Sequence, residues 1–335
     1  MKIRLKIFML LYCLLQLFSL DIQAQKFKYS IPGLDTLQSS FIVGGGAAAV
    51  LRSGEAEIIS SNSLASYWIA FHENGENSPI LDRLRSTQFA SENTIFYSVS
   101  ATGRVDVGLQ FRYARVRLDN AASNSMFKVF EGKDKSSGQS NAPFDEVIKL
   151  DQSFGRMANV GLRFRFKPLL HKPALVVNGG YTLGTVKDKV EQKQLSADRD
   201  IFDLGATYFQ DISTNVFYFF GASIRAYLPS SVTSESLYNT NLNFFLIQRS
   251  KNKKFTYYPG ISYSLSFKPS QYDDHPLIKT ADFLFAIGGV QYAFNKDYNV
   301  FATAGFPLIV NLTRPQQTIV RASYSLLSLG FRFGI

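Results

Sequence analysis

The stretch Val105-Asp106-Val107-Gly108-Leu109-Gln110-Phe111-Arg112-Tyr113 decides what kind of fold this chain adopts. Val105, Val107, Leu109, Phe111 and Tyr113 fall on one side of an extended backbone, and Asp106, Gly108, Gln110 and Arg112 fall on the other. Successive side chains of a strand point to opposite faces, so this period of two predicts a strand with one greasy and one polar face. The pattern returns at 160–167, where Val160, Leu162, Phe164 and Phe166 oppose Gly161, Arg163, Arg165 and Lys167. It returns again at 327–335, where Leu327, Leu329, Phe331, Phe333 and Ile335 oppose Ser328, Gly330, Arg332 and Gly334.

Outward from these three segments, less regular copies occupy 55–71, 88–100, 174–183, 200–209, 216–227, 238–248, 255–267, 281–294 and 299–310. Together they predict twelve strands, within a range of about ten to fourteen, and several have the roughly 9–11 residues that a tilted membrane strand needs. The connections alternate in length. Short turns fall at 101–104, 168–173, 211–215, 249–254 and 295–298, and longer polar segments at 72–87, 119–153, 184–199, 228–237, 268–280 and 311–319. Outer-membrane barrels have short periplasmic turns and long extracellular loops, and an even strand number returns the chain to its starting side. A soluble sandwich would explain the alternation but not this loop asymmetry.

Composition agrees. Of 335 residues 14% are aromatic, with 30 Phe and 17 Tyr against one Trp, and 19% are charged. Such a chain is too apolar for disorder and too evenly mixed for a helical transporter, and its aromatics favour strands.

Residues 1–24 read as a secretory signal peptide: Lys2, Arg4 and Lys6, an apolar run over 7–20, then a cleavage pattern ending at Ala24. The run is short of the roughly 20 residues of a membrane helix. The only cysteine, Cys13, lies inside it with Tyr12 before it, which is not a lipoprotein site. The exported chain is then expected to hold no disulfide, thiolate metal site or cysteine nucleophile. Removal of three cations and one anion takes the net charge from +10 to +8. Residues 25–54 break the strand rhythm. Gly44-Gly45-Gly46-Ala47-Ala48-Ala49 is small and flexible, and the segment is expected to be a periplasmic lead-in, with a lumen plug as the alternative. The barrel proper is expected over 55–335.

The hairpin over 98–109, the closing Gly330-Phe331-Arg332-Phe333-Gly334-Ile335 and the export signal ending in Ala24-Gln25 resemble outer-membrane barrels of the Bacteroidota. With Gly54-Glu55-Ala56-Glu57-Ile58, the hairpin is similar to the transporter-like barrels named after the phenol-degradation meta-pathway. That resemblance implies an outer-membrane location, contact with outer-membrane lipid, insertion by the barrel assembly machinery and passage of small solutes. The C-terminal aromatic usual in such barrels is displaced here to Phe333.

With the alternation assigned this way, the lumen is expected to hold Asp106, Gln110, Arg112, Arg163, Arg165, Asn178, Asp203, Arg225, Asn241, Asn243 and Arg332. A ladder formed by Arg112, Arg163 and Arg165 would favour anions or an amphipathic solute with an acidic head. The alternative is that these arginines pair with Asp106, Asp203, Glu55 and Glu57 and fill the interior. No nucleic-acid module, cofactor or metal motif is visible; the densest basic cluster, Arg249, Lys251, Lys253 and Lys254, reads as a solvated turn. The sharpest catalytic constellation is Asp198 and Asp200 facing Asp273 and His275 at extracellular loop ends, in the manner of a water-activating protease barrel. Three functions follow in order: a passive channel for small solutes, a structural or secretion-associated barrel binding a partner through its loops (119–153 above all), and a loop-borne hydrolase.

Overall fold

The computed structural model describes residues 42–43, 46–47, 50–73, 85–119, 125–131, 152–169, 175–187, 191, 195, 199–230, 235–269, 277–295, 297–312 and 317–335. The predicted signal peptide, and most of the segment after it, lie outside the described residues.

Twelve strands follow one another around a single antiparallel sheet: β1 Ala56–Glu73, β2 Arg85–Ser98, β3 Val105–Asp119, β4 Ser153–Phe166, β5 Leu175–Gly184, β6 Ile201–Ser213, β7 Val216–Tyr227 and β8 Leu237–Arg249. The ninth, β9, is in two pieces, Phe255–Tyr257 and Gly260–Pro269, and β10 Leu277–Ala293, β11 Tyr298–Leu312 and β12 Gln317–Gly334 complete the set. Each strand pairs with its neighbours in sequence, and β12 pairs with β1 from Gln317 opposite Glu73 to Gly334 opposite Glu57. Every strand has a neighbour on both sides, so the up-and-down sheet closes into a barrel. On the extracellular side the β11–β12 ladder ends at Gly305 opposite Leu326, and among the described residues these two strands are not paired with each other beyond it.

Which face is greasy settles where such a barrel lives. Along β3 the side chains of Val107 and Leu109 are 44% and 49% exposed, while those of Asp106 and Gln110 are 0% and 5% exposed. A soluble domain buries its apolar face, and this one displays it. Leu162, Leu204, Phe220, Leu242 and Leu329 continue the outward belt around the wall. At the end carrying the short turns the belt is edged with rings in contact, Tyr208 with Tyr218, Tyr292 with Phe294, Phe294 with Tyr298 and Tyr298 with Phe333. An outward apolar band with an aromatic girdle is the signature of an outer-membrane β-barrel, which places the short turns in the periplasm.

The strands outrun their predicted ends on the extracellular side. β3 continues to Asp119 and β12 begins at Gln317, where the sequence pattern predicts loops. Register shifts slip the phase of two strands on that side: β4 carries an extra residue opposite Arg112 and Tyr113, and β12 one opposite Phe71 and Ala70. The segment predicted as one strand over 255–267 is interrupted at Tyr258-Pro259, since proline has no N–H to donate. Its carbonyl still accepts from Leu246 N at 2.9 Å, so the wall stays closed.

The first periplasmic turn requires a glycine. Gly103 has φ +63°, and a Cβ there would lie 3.0 Å from the Leu51 carbonyl oxygen and 3.3 Å from Arg52 Cα. Gly103→Val is expected to lower the unfolding free energy by about 1–2 kcal/mol from backbone handedness alone. Urea titration of the detergent-solubilised barrel measures it, and an unchanged midpoint would refute the close approach of residues 51–52.

Candidate functional site

The site is the barrel interior, which has three storeys. In the middle, on the inner faces of β2 to β7, a cavity of about 80 Å³ is lined by Glu92, Gln110, Arg112, Asn159, Arg163, Thr182, Ile201, Asp203, Arg225 and Tyr227. The long side chains fit because their neighbours have none: a Cβ on Gly180 would lie 2.5 Å from Arg163 Cδ. Arg163 is ion-paired with Asp203 and donates from Nε to Gln110 Oε1 at 2.6 Å. Gln110 donates in turn to Glu92 at 3.4 Å. Arg112 lies 3.6 Å from Glu92 and donates to Asn159 Oδ1 at 3.1 Å. Arg225 hydrogen-bonds the Tyr227 hydroxyl. Among the described residues no carboxylate comes within ion-pair distance of Arg225. Three guanidinium groups therefore share two carboxylates: Arg225, opposite Asp203 in register, interacts electrostatically with Asp203 and Glu92 without an ion-pair contact, and the storey carries one net positive charge.

On the other wall, apolar groups face into the same interior. Phe283 and Phe285 stack at 6.0 Å between centroids, opposite Ser264 and Ser262 of β9. Gly305 opens a space in which Ile287 and Leu326 approach. The lumen is amphipathic.

The periplasmic storey is packed. Glu57 on β1 binds two guanidinium groups, Arg332 of the adjacent β12 and Arg165 of β4, three strands away, so the contact is a chord across the inside of the wall. Arg165 also holds Asp106 at 2.7 Å and sits 3.8 Å over the Phe96 ring. Residues before β1 enter here: Leu51 N donates to Asp106 Oδ2 at 2.9 Å, and its side chain packs with Ile59, Phe96 and Phe301. Beside this network, Phe209, Phe217, Phe219, Phe245, Ile247 and Tyr258 form a second buried cluster at the same end.

In the extracellular storey, Val186 and Leu195 of the β5–β6 loop pack on Ala114 and Val116 of β3. The long β3–β4 loop contributes a 3-10 turn, Met126–Phe130, whose Phe130 meets Phe89 at 5.0 Å on the outer wall.

Asp106, Gln110, Arg112, Arg163, Arg165, Asp203, Arg225 and Arg332 thus all reach the interior, at two different heights. Asn178, Asn241 and Asn243 share the inner face with them, Asn178 opposite Arg165 and Gly205, and Asn241 and Asn243 alternating with outward Leu242 and Phe244. The expected basic ladder is corrected in one respect: Arg112, Arg163 and Arg165 stand side by side, but each has an acidic partner. Glu55 is not one of them; its carboxylate accepts from Arg52 N at 3.0 Å and closes the turn into β1. Of the proposed catalytic set, Asp198, Asp273 and His275 lie outside the described residues. Asp200 is tied to β5, accepting from the Tyr181 hydroxyl at 2.7 Å and Gly184 N at 3.3 Å. Among the described residues no cluster of His, Cys, Asp and Glu is placed to hold a metal.

Glu92 and the aromatic cluster were hidden from sequence reasoning. Glu92 stands between Ser91 and Asn93, so its strand is polar on both faces there. The Phe219-Phe220 and Phe244-Phe245 doublets put one ring on each face and carry no parity signal.

An outer membrane channel from Pseudomonas putida F1 has the same barrel over 88% of this chain and 100% of its own, with TM-score 0.55 and 12% identity. Weaker likenesses extend to the beta domain of the Bordetella autotransporter BrkA (TM-score 0.48, 11% identity, 84% of this chain and 100% of that one) and to the monoaromatic hydrocarbon channel TodX (TM-score 0.42, 11% identity, 88% and 95%). At these identities the likeness concerns the fold. No protein-family model matches the chain. No curated protein matches it either.

Proposed function

We propose that the barrel is a passive outer-membrane channel for small solutes that pair an acidic head with an apolar body. The observation that carries this reading is the divided lumen: the net positive charge around Arg225 on one wall, and Phe283, Phe285, Ile287 and Leu326 on the other. A cation facing a low-dielectric lumen raises the local concentration of anions. The likeness of the fold to the P. putida outer membrane channel is in keeping with transport on this architecture. The cavity of about 80 Å³ is well below the roughly 300 Å³ of a small-ligand pocket, so a solute enters by displacing waters and moving the Arg112 and Arg225 side chains. In this reading Leu51, just before β1, helps to fill the periplasmic end by packing with Ile59, Phe96 and Phe301.

Single-channel recording in planar bilayers tests it. The open pore is expected to prefer chloride to potassium, and Arg225→Glu, which changes the mid-lumen balance from one net positive to one net negative charge, is expected to invert that preference. An unchanged reversal potential in the variant would remove Arg225 from the pathway. The filled periplasmic end also suits the partner-binding reading, and a barrel that never conducts, even without residues 25–54, would favour it.

A further inference from the structure

One square of the outer wall is wrong for lipid. On β1 and β2 the outward positions between Ile58 and Leu64, and between Ile95 and Phe89, are Ser60, Asn62, Ser91 and Asn93. Their parity is fixed by their neighbours: Ser61 shares the inner face with Ser328, and Glu92 lines the central cavity. Ser60 pairs with Asn93 and with outward Phe331, and Asn62 with Ser91 and with outward Leu329. The four are contiguous, with Ser60 buried at 4% exposure beneath its neighbours and Asn62, Ser91 and Asn93 half-buried at the surface, flanked by Leu329 and Phe331 on one side and by Phe111 and Tyr113 on the other.

The patch lies deep in the belt. Tyr97 on β2 stands at the periplasmic edge, and Asn93 is four residues inside it. At about 3.3 Å per residue along a strand tilted by roughly 40°, that is about 10 Å into a belt about 25 Å tall. Elsewhere on the wall, outward positions of this belt hold Leu162, Leu204, Phe220, Ile224 and Leu242.

Within the patch Asn62 Nδ2 donates to Ser60 Oγ at 3.5 Å, and Asn93 Nδ2 donates to Ser91 Oγ at 3.3 Å. Each amide keeps a second N–H and a carbonyl oxygen with no hydrogen-bond partner among the described residues. Hydrocarbon can supply none, and polar side chains facing lipid are used as glue between proteins. We propose that this wall is the interface between two copies of the chain, packed side by side in the outer membrane. The choice of a second copy rests on self-complementarity. Two copies inserted in the same direction are related by a two-fold axis along the membrane normal, and such an axis presents the patch to itself. An amide is donor and acceptor at once, and a hydroxyl likewise, so Asn62, Ser91 and Asn93 can each bond their own symmetry mates. No charge repels across the axis, and the greasy flanks of β12 and β3 meet one another around the polar centre.

Site-specific oxidation tests this in intact outer membranes. The chain's natural cysteine, Cys13, lies in the segment read as a removable signal, so single substitutions report cleanly. Asn62→Cys, Ser91→Cys and Asn93→Cys, made one at a time, are expected to include variants that migrate at twice the chain mass on non-reducing gels. Leu204→Cys, on the outward face of β6, is expected to stay single. In native mass spectrometry from mild detergent, the unsubstituted protein is expected at double mass, and Asn62→Leu combined with Asn93→Leu is expected to lower the dimer fraction at least tenfold. The heat-modifiable gel shift reports that this variant still folds. A single-copy mass for the unsubstituted protein overturns the proposal. So does equal cross-linking at Leu204, or a cross-linked product of any other mass, which would assign the wall to a different protein.

Discussion

Glu57→Ala is expected to destabilise the barrel by about 3–5 kcal/mol, the range found when one partner of a buried ion pair is removed and the other stays behind. Here two partners stay behind. The Glu57 side chain is 1% exposed, Arg165 2% and Arg332 5%, so neither guanidinium can turn to water. Asp106, at 2.7 Å, is left to balance Arg165, while Arg332 loses the only carboxylate the described residues place at ion-pair distance. Urea unfolding in lipid vesicles, followed by tryptophan fluorescence or gel migration, reads the loss directly. Glu57→Gln keeps the shape and one acceptor oxygen and is expected to fall between the two. A loss below about 0.5 kcal/mol for the alanine variant would put this network in the class of exposed surface pairs and refute its closure of the periplasmic end.

The second large effect is expected at the other half of the same floor. Phe217 and Phe245 are 1% and 2% exposed, and both belong to the cluster with Phe209, Phe219, Ile247 and Tyr258. Truncating each to alanine is expected to remove about 3–5 kcal/mol of packing, and together to open a passage beside the Glu57 network. Unitary conductance of the double variant is expected to rise several-fold over the parent in planar bilayers. The ion preference is expected to remain, because Arg225 is untouched. If conductance is unchanged while stability falls, the aromatic cluster holds the wall together without obstructing the path.

The architecture was readable because lipid on one side and a polar lumen on the other impose a strict alternation, and Val105 to Tyr113 obeys it without exception. Strand ends were less readable. Beyond the membrane, loop segments cover β3 instead of lipid and lumen, with Val186 and Leu195 on Ala114 and Val116 and the Phe130 and Glu131 carbonyls on Arg115. Polar and apolar residues there carry no alternation, and the extra residue of β4 beside Arg112 shifts that strand's own phase. The charged lining was legible from parity alone, as Arg163, Arg165 and Asp203 show. Pairing was not: that Glu57 reaches Arg165 across β2 and β3 depends on barrel curvature, which no local pattern encodes. Glu92 was missed for the reason that makes its strand unusual, since Ser91 and Asn93 beside it are polar where lipid-facing strands are not.

The seam between β1 and β12 bears on how the barrel is made. Ala56 and Ile335 exchange hydrogen bonds of 3.1 and 2.8 Å, and the pairing continues up to Glu73 and Gln317. Each strand from β2 to β11 finds both neighbours next to it in the chain, but β1 must wait, with half its amides unanswered, until the twelfth has been delivered. Such a cylinder cannot be inserted strand by strand as it emerges. Closure of this seam is expected to be the late, slow step of barrel formation, limited by the longest-range contact in the molecule.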